Sequence, residues 1–311
     1  MTTALFSHDD CLEHVTPPGH PEQVARYAAV MRALKAAEFG ALDRREAPFG
    51  SREDVLLCHP EAYLDRILSA VPEEGWASLD ADTHLSPGSM PAIWRGIGAV
   101  VAAVDAVMAG EVTNAFCAMR PPGHHAESAT AMGFCFFGNV AIGARHAMER
   151  HGLSRVAVVD FDVHHGNGTQ DLLWDEVRAL FISTHQMPLY PGTGAPHETG
   201  AHDNVINVPL APMTGGREMR RAYETEILPA LDDYDPEFVL ISAGFDAHAA
   251  DPLANLNWST EDFAWVTRAI CEVAEARAGG RVVSTLEGGY DLEALGQSVA
   301  AHVRVLMERG E

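Results

Sequence analysis

Short runs rich in Val, Ile, Leu and Phe alternate along this chain with longer stretches whose apolar residues recur at helical spacing. Strand-like runs occupy residues 3–6, 55–58, 113–119, 156–160, 179–184, 205–208, 238–242 and 281–286. Helix-like segments fall at 21–38, 90–108, 139–150, 216–231, 260–277 and 292–307. Consecutive strands joined by a helix pair in parallel, because the crossover must carry the chain back to the starting edge. The runs are apolar throughout rather than alternating, which suits strands covered on both faces. No long linker, repeat or low-complexity stretch interrupts the pattern. The sequence therefore predicts one three-layer α/β domain over residues 1–311, with a central, mainly parallel sheet of about eight strands flanked by helices.

In such sheets the reactive groups collect just past the carboxyl ends of the strands. Here polar clusters stand at five of those ends: Arg120-Pro-Pro-Gly-His124-His125, Asp160-Phe-Asp162-Val-His164-His165-Gly166, Ser183-Thr184-His185, Gly244-Phe-Asp246 and Glu287-Gly-Gly-Tyr290. Asp162 and His164 stand two apart at a strand terminus, so their side chains can point the same way. Alone such a pair is a weak signal. With Asp246 as third ligand it becomes a two-carboxylate, one-imidazole set that leaves a position open for water and substrate, as catalytic metal sites do. Zinc is the expected metal, and Fe(II), Co(II) or Mn(II) also suit a carboxylate-rich set.

The paired His124 and His125 follow Pro122 and Gly123, whose turn can present both rings to one pocket. A histidine near neutral pH can take a proton from water and return it to a leaving amine. Asp160 and Asn167 are the expected partners of the two outer ring nitrogens, the aspartate raising its histidine's basicity more than the asparagine. Tyr290, after two glycines that allow close backbone approach, can donate its phenol proton to a developing oxyanion.

Composition narrows the partners. Twenty-one Lys and Arg against 44 Asp and Glu give a formal charge of −23, which disfavours direct binding to nucleic acid and would attract a cationic substrate. The five cysteines, Cys11, Cys58, Cys117, Cys135 and Cys271, are widely spaced and form no C-x-x-C pair, consistent with a reducing cytoplasm. No secretory pattern opens the chain, and the apolar run 97–108 is short for a membrane and carries Asp105, so it reads as a buried helix. A homo-oligomer is compatible with the sequence.

Together these motifs resemble the histone deacetylase superfamily, nearer its class II and bacterial histone deacetylase-like amidohydrolase branch. The matching pieces are His20-Pro-Glu22, Arg120-Pro-Pro-Gly-His-His-Ala126, Gly133-Phe-Cys-Phe-Phe-Gly-Asn139, Val159-Asp-Phe-Asp-Val-His-His-Gly-Asn-Gly-Thr169, Ser183-Thr-His185, Tyr190-Pro-Gly-Thr-Gly194, Ser242-Ala-Gly-Phe-Asp246, Asp251-Pro252 and Glu287-Gly-Gly-Tyr290. The resemblance spans nearly the whole chain. It implies the arginase/deacetylase fold and hydrolysis of an acyl-amide, most often N6-acetyl-lysine, by a zinc enzyme. By position it implies Asp162, His164 and Asp246 as metal ligands, His125 as general base and acid, His124 as its electrostatic partner and Tyr290 as carbonyl polariser. It further implies a substrate tunnel walled by Gly133, Phe134 and Tyr190, with Leu253 and Met187 near its mouth, and Arg26 beside an inner product pocket. A structural potassium ion is implied near Asp160, Asp162, His164, Ser183 and Thr184. Asn167 follows the class II pattern, and Leu253 replaces the glutamate of polyamine-selective relatives, which favours an acyl-lysine peptide over an acylated small amine.

Three other readings remain in view. One is an acetylpolyamine or small-amide deacetylase; another is an acyl-lysine binding module without catalysis, which would normally lack a ligand or Tyr290. An arginase-like two-metal ureohydrolase shares the fold, yet no second set of carboxylate ligands is visible for it.

Overall fold

The structure is a computed structural model and describes residues 2–310. Among the described residues the strands are, in chain order, β1 (Thr3–Ser7), β2 (Asp43–Glu46), β3 (Ala77–Ser78), β4 (His84–Leu85), β5 (Asn114–Cys117), β6 (Val156–Asp160), β7 (Ala179–Gln186), β8 (Val205–Leu210), β9 (Phe238–Ala243) and β10 (Val282–Leu286). Eight of them form one sheet in the order β2-β1-β5-β10-β9-β6-β7-β8. Every pairing in that sheet is parallel. β3 and β4 make a separate antiparallel ribbon.

Two cores sandwich the sheet, one on each face. Ala157 and Val159 of β6 pack with Val239 and Ile241 of β9 and with Val266, Ile270, Leu295 and Val299 from helices Thr260–Ala278 and Leu292–Gly310. Their neighbours Val156 and Val158 turn the other way, to Val100, Val104, Val140 and Ala144 from helices Ser89–Met108 and Asn139–His151. This alternation is what the pleat requires when both faces are covered. Helix Ser89–Met108 is long and apolar enough to cross a membrane, but 67% of its apolar window is buried inside the protein.

Three local expectations are corrected. Residues 55–58 are not a strand: Ser51 and Asp54 form a capping box that starts a helical turn at Arg52–Val55, and turns follow up to Pro60. The eighth strand is instead β2, whose sequence Asp-Arg-Arg-Glu carries no apolar signal because it is an edge strand pairing only with β1. The segment 216–231 is not one helix. A π turn at Tyr223–Ile227 separates helices Gly216–Ala222 and Leu228–Tyr234, since Pro229 has no N–H to continue the ladder.

β9 lies inside the sheet between β10 and β6, and its Leu240 is fully buried. Leu240→Ala should lower unfolding free energy by about 2–5 kcal/mol. Urea unfolding with an unchanged slope checks this; a loss below about 1 kcal/mol would show that the site collapses around the missing atoms.

Candidate active site

The five strands β5, β10, β9, β6 and β7 are consecutive in the sheet, and each ends in one of the polar clusters read from the sequence. Parallel strands place all five ends at the same edge, so residues more than 100 positions apart meet there. His164 Nδ1 lies 3.1 Å from Asp162 Oδ1 and 3.1 Å from Asp246 Oδ2. The three donor atoms fall within 4.8 Å of one another, and all three residues are buried.

Backbone amides hold the carboxylates in place. Gly288 N–H donates to Asp162 Oδ2 at 2.8 Å and Val163 N–H donates to Asp246 Oδ1 at 2.9 Å, leaving Asp162 Oδ1 and Asp246 Oδ2 turned toward His164. One ring nitrogen cannot neutralise two buried carboxylates, and an uncompensated buried charge is strongly unfavourable. Burial opposes a proton on His164, yet Asp162 and Asp246 push its pKa up to about 10. A divalent cation would displace that proton and compensate both carboxylates, so the donor set fits a metal. Gly244 and Gly288 are confined by this crowding: a Cβ would lie 2.0 Å from Asp162 Oδ2 at the first and 2.1 Å from Asp246 Oδ2 at the second.

The two histidines of the β5 loop sit beside this cluster with ring centroids 4.0 Å apart. Their outer nitrogens meet different partners, His124 Nδ1 reaching Asp160 Oδ2 at 3.0 Å and His125 Nδ1 reaching Asn167 Oδ1 at 2.7 Å. Burial disfavours the charged form of both rings. For His124 the carboxylates of Asp162 and Asp160 outweigh burial and raise its pKa well above the ordinary value. For His125 burial is reinforced by His124 and His164, and its pKa falls well below. The two rings are therefore pushed in opposite directions, His124 toward the charged form and His125 toward the neutral one.

Glu287 was read from sequence only as part of a motif, but it carries the loop that presents these rings. Its Oε2 accepts the N–H groups of Gly123 at 2.7 Å and His124 at 3.1 Å. Asp251 likewise accepts Tyr290 N–H at 2.7 Å and so anchors the tyrosine's backbone. Behind the site, Glu22 bridges two buried arginines. Arg120 donates to both its oxygens, from Nε at 2.7 Å and Nη2 at 2.5 Å, and Arg26 donates from Nη1 at 3.1 Å. Arg26 also donates to the carbonyls of Gly289 and Glu287 and lies over the Tyr290 ring, 4.9 Å from its centroid. Arg26 was expected only beside an inner product pocket; its place against Tyr290 and its role in fixing the glycine turn were not anticipated. Glu22 sits in the His20-Pro-Glu22 motif, and nothing in the linear order ties it to Arg120.

A cavity of about 390 Å³ opens onto this cluster and is lined by His125, His164 and Tyr290 together with Gly133, Phe134, Tyr190 and Leu253. Phe134 takes a left-handed backbone (φ 70°), with its N–H on Thr83 Oγ1 at 3.0 Å. Gly133 (φ +56°) leaves room for the His125 ring, which a Cβ would approach to 2.4 Å. The mouth is completed by His20, Pro21, Ala81, Asp82, His84 and Leu189, from segments without a strand-end motif. Met187, expected near the rim, is not among the lining residues, whereas Leu189 of the same loop is. Ser183 and Thr184 lie within β7, Ser183 in register with Asp160, with Thr184 Oγ1 3.4 Å from the Asp160 carbonyl and 3.0 Å from the Tyr223 hydroxyl that the π turn delivers.

A family model described as the histone deacetylase domain matches residues 20–306. The chain is 39% identical to a histone deacetylase-like amidohydrolase of Pseudomonas aeruginosa, over 93% of this chain and 81% of that protein. It is 38% identical to a probable deacetylase of Archaeoglobus fulgidus, over 94% of this chain and 82% of that one. The crystal structure of the HDA15 HD domain superposes with a TM-score of 0.94 at 31% identity, covering 99% of this chain and 88% of its own. The parallel eight-stranded sheet with its flanking helices is thus the arginase/deacetylase α/β fold, and the chain belongs to the histone deacetylase family.

Proposed function

We propose that this chain, as one catalytic unit, hydrolyses an acyl-amide, with N6-acetyl-lysine in a peptide or protein as its substrate class. The observation that carries the reading is a convergent Asp162–His164–Asp246 donor set opening into a narrow cavity beside a charged and a neutral histidine. The cavity's Phe134 and Tyr190 suit a four-carbon stem, with the acyl group turned inward past Tyr190, whose ring centroid is 5.1 Å from that of His125.

Asp162, His164 and Asp246 would hold a zinc ion, or Fe(II) or Co(II), which when bound would supply Lewis-acid chemistry for the acyl carbonyl and for water. His125, neutral and braced by Asn167, takes the water's proton and returns it to the departing amine nitrogen. His124, kept charged by Asp162 and Asp160, stabilises negative charge as the carbonyl carbon becomes tetrahedral. Burial keeps the Tyr290 phenol protonated, and it donates to the carbonyl oxygen while Arg26 supports its ring. The close approach of the β6 and β7 ends around Asp160, Asp162, His164, Ser183 and Thr184 supports a structural potassium ion there. The five free cysteines support a reducing cytoplasmic setting.

A second reading, deacetylation of an acetylpolyamine or other small amine, draws on Asp82, which lines the same cavity and could meet a second ammonium. Leu253, also lining it, offers no charge for that purpose. The kcat/KM for an acetyl-lysine peptide should exceed that for N-acetylputrescine and N-acetylspermidine; the reverse order would reassign the substrate.

Tyr290→Phe should reduce kcat by roughly 10²–10³ with metal content unchanged, the effect of one oxyanion donor. Activity retained within a few-fold would remove Tyr290 from the mechanism. Asp246→Ala should abolish ion binding at this centre, measured by metal analysis. Asn167→Asp places a carboxylate on His125 and should raise its pKa. Because the neutral ring is the base, the acid limb of the kcat/KM profile should then move to higher pH. An unmoved limb would show that His125 is not the group being titrated.

A further inference from the structure

A second cluster of ligand-type side chains lies far from the cavity edge. Asp105 stands in the last turn of helix Ser89–Met108, and His146 and His151 stand in the C-terminal part of helix Asn139–His151. Those helix ends lead into the starts of β5 and β6, opposite to the strand ends that gather the candidate active site. Both His146 Nε2 and His151 Nε2 lie 2.7 Å from the same atom, Asp105 Oδ1, and the two rings are 5.6 Å apart at 71°. The three donor atoms are within 4.8 Å of one another. His146 is buried and His151 partly so, whereas the Asp105 side chain is 52% exposed, so the cluster is accessible from one side.

We propose that Asp105, His146 and His151 form a second binding site for a divalent transition metal of the zinc class, clamping the ends of two neighbouring helices. Two imidazole nitrogens and one carboxylate oxygen are a ligand set of the kind zinc takes, with water completing the tetrahedron on the exposed side. Tetrahedral bonds of about 2.0–2.1 Å set ligand atoms roughly 3.3 Å apart, so a modest rotation of the exposed Asp105 opens the cluster to admit an ion. The carbonyl ends of both helices add negative potential, which favours a cation over a third neutral group. The competing arrangement is a metal-free pair of imidazoles donating to one carboxylate oxygen. It predicts no saturable uptake of zinc.

Metal-stripped full-length protein titrated with Zn2+ alone separates the two, with calorimetric stoichiometry checked by elemental analysis. The unaltered chain should take up two ions, Asp246→Ala one, Asp105→Asn with His151→Gln one, and the combined variant none. The Asp105→Asn, His151→Gln protein should keep its hydrolytic rate within about two-fold, being remote from the cavity. In the Asp246→Ala background added zinc should raise Tm, through linkage of binding to folding, and the further Asp105→Asn change should abolish that rise. An ion count that the Asp105→Asn, His151→Gln changes leave undiminished, in the unaltered chain or in Asp246→Ala, would overturn the proposal. So would a zinc-dependent rise in Tm that survives in the combined variant. Loss of zinc from Asp246→Ala alone tests the first site and leaves this count intact, so the two assignments fail separately.

Discussion

Two buried carboxylates, Asp162 and Asp246, converge on a single imidazole, and much of the molecule is arranged around the charge this creates. Neither can be left unpaired in the interior. Their outward oxygens are tied to Gly288 and Val163 amides, so only the inward oxygens remain to meet His164 and a cation. The glycines at 244 and 288 follow from the same crowding, because any Cβ would enter a carboxylate oxygen. The same negative field raises His124 against its own burial, while burial drives His125, one residue on, down and the neighbouring rings add to the effect. Adjacent histidines thus shift in opposite directions because the carboxylates dominate one ring and burial the other.

A second buried charge network supports the far side of the site. Glu22 binds Arg120 through both oxygens and Arg26 through one, and the arginines spend their remaining donors on carbonyls of Cys11, His14, Gly289 and Glu287. Removing one member would strand the others without solvent, which makes the network far costlier to break than to omit. Its effect is positional. It joins the N-terminal segment to the β10 loop and holds Gly289 against Arg26, with Tyr290 stacked above.

The strand-end clusters were legible because parallel α/β sheets expose reactive groups at one edge, and apolar runs marked where that edge fell. Asp162 and His164 could be paired from a spacing of two residues, and Asp246 added from its position after another strand. Glu287 and Asp251 could not be given a role, since each acts on backbone amides contributed by other loops. The parts that Asp82, His84 and Leu189 play in lining the cavity were equally hidden, because the segments carrying them have no repeating pattern. The Asp105–His146–His151 cluster was missed for a geometric reason. Residues five apart on a uniform helix point about 140° from each other, so the spacing carries no ligand signal.

From the sequence alone came the α/β layering, the approximate strand count, the ligand and histidine pairs and the family resemblance, because each rests on local spacing or on motifs read in order. Tertiary structure decided which polar run is the edge strand, since β2 is specified by its pairing to β1 and not by apolar content. It also decided how the helix at Pro229 breaks and where Tyr223 then reaches. It set the opposite pKa shifts of His124 and His125, because a pKa depends on burial and on charges supplied by other strands. The Asp162, His164 and Asp246 donor set was visible as residue types; the point where its oxygens and nitrogen meet exists only once β6 and β9 lie side by side.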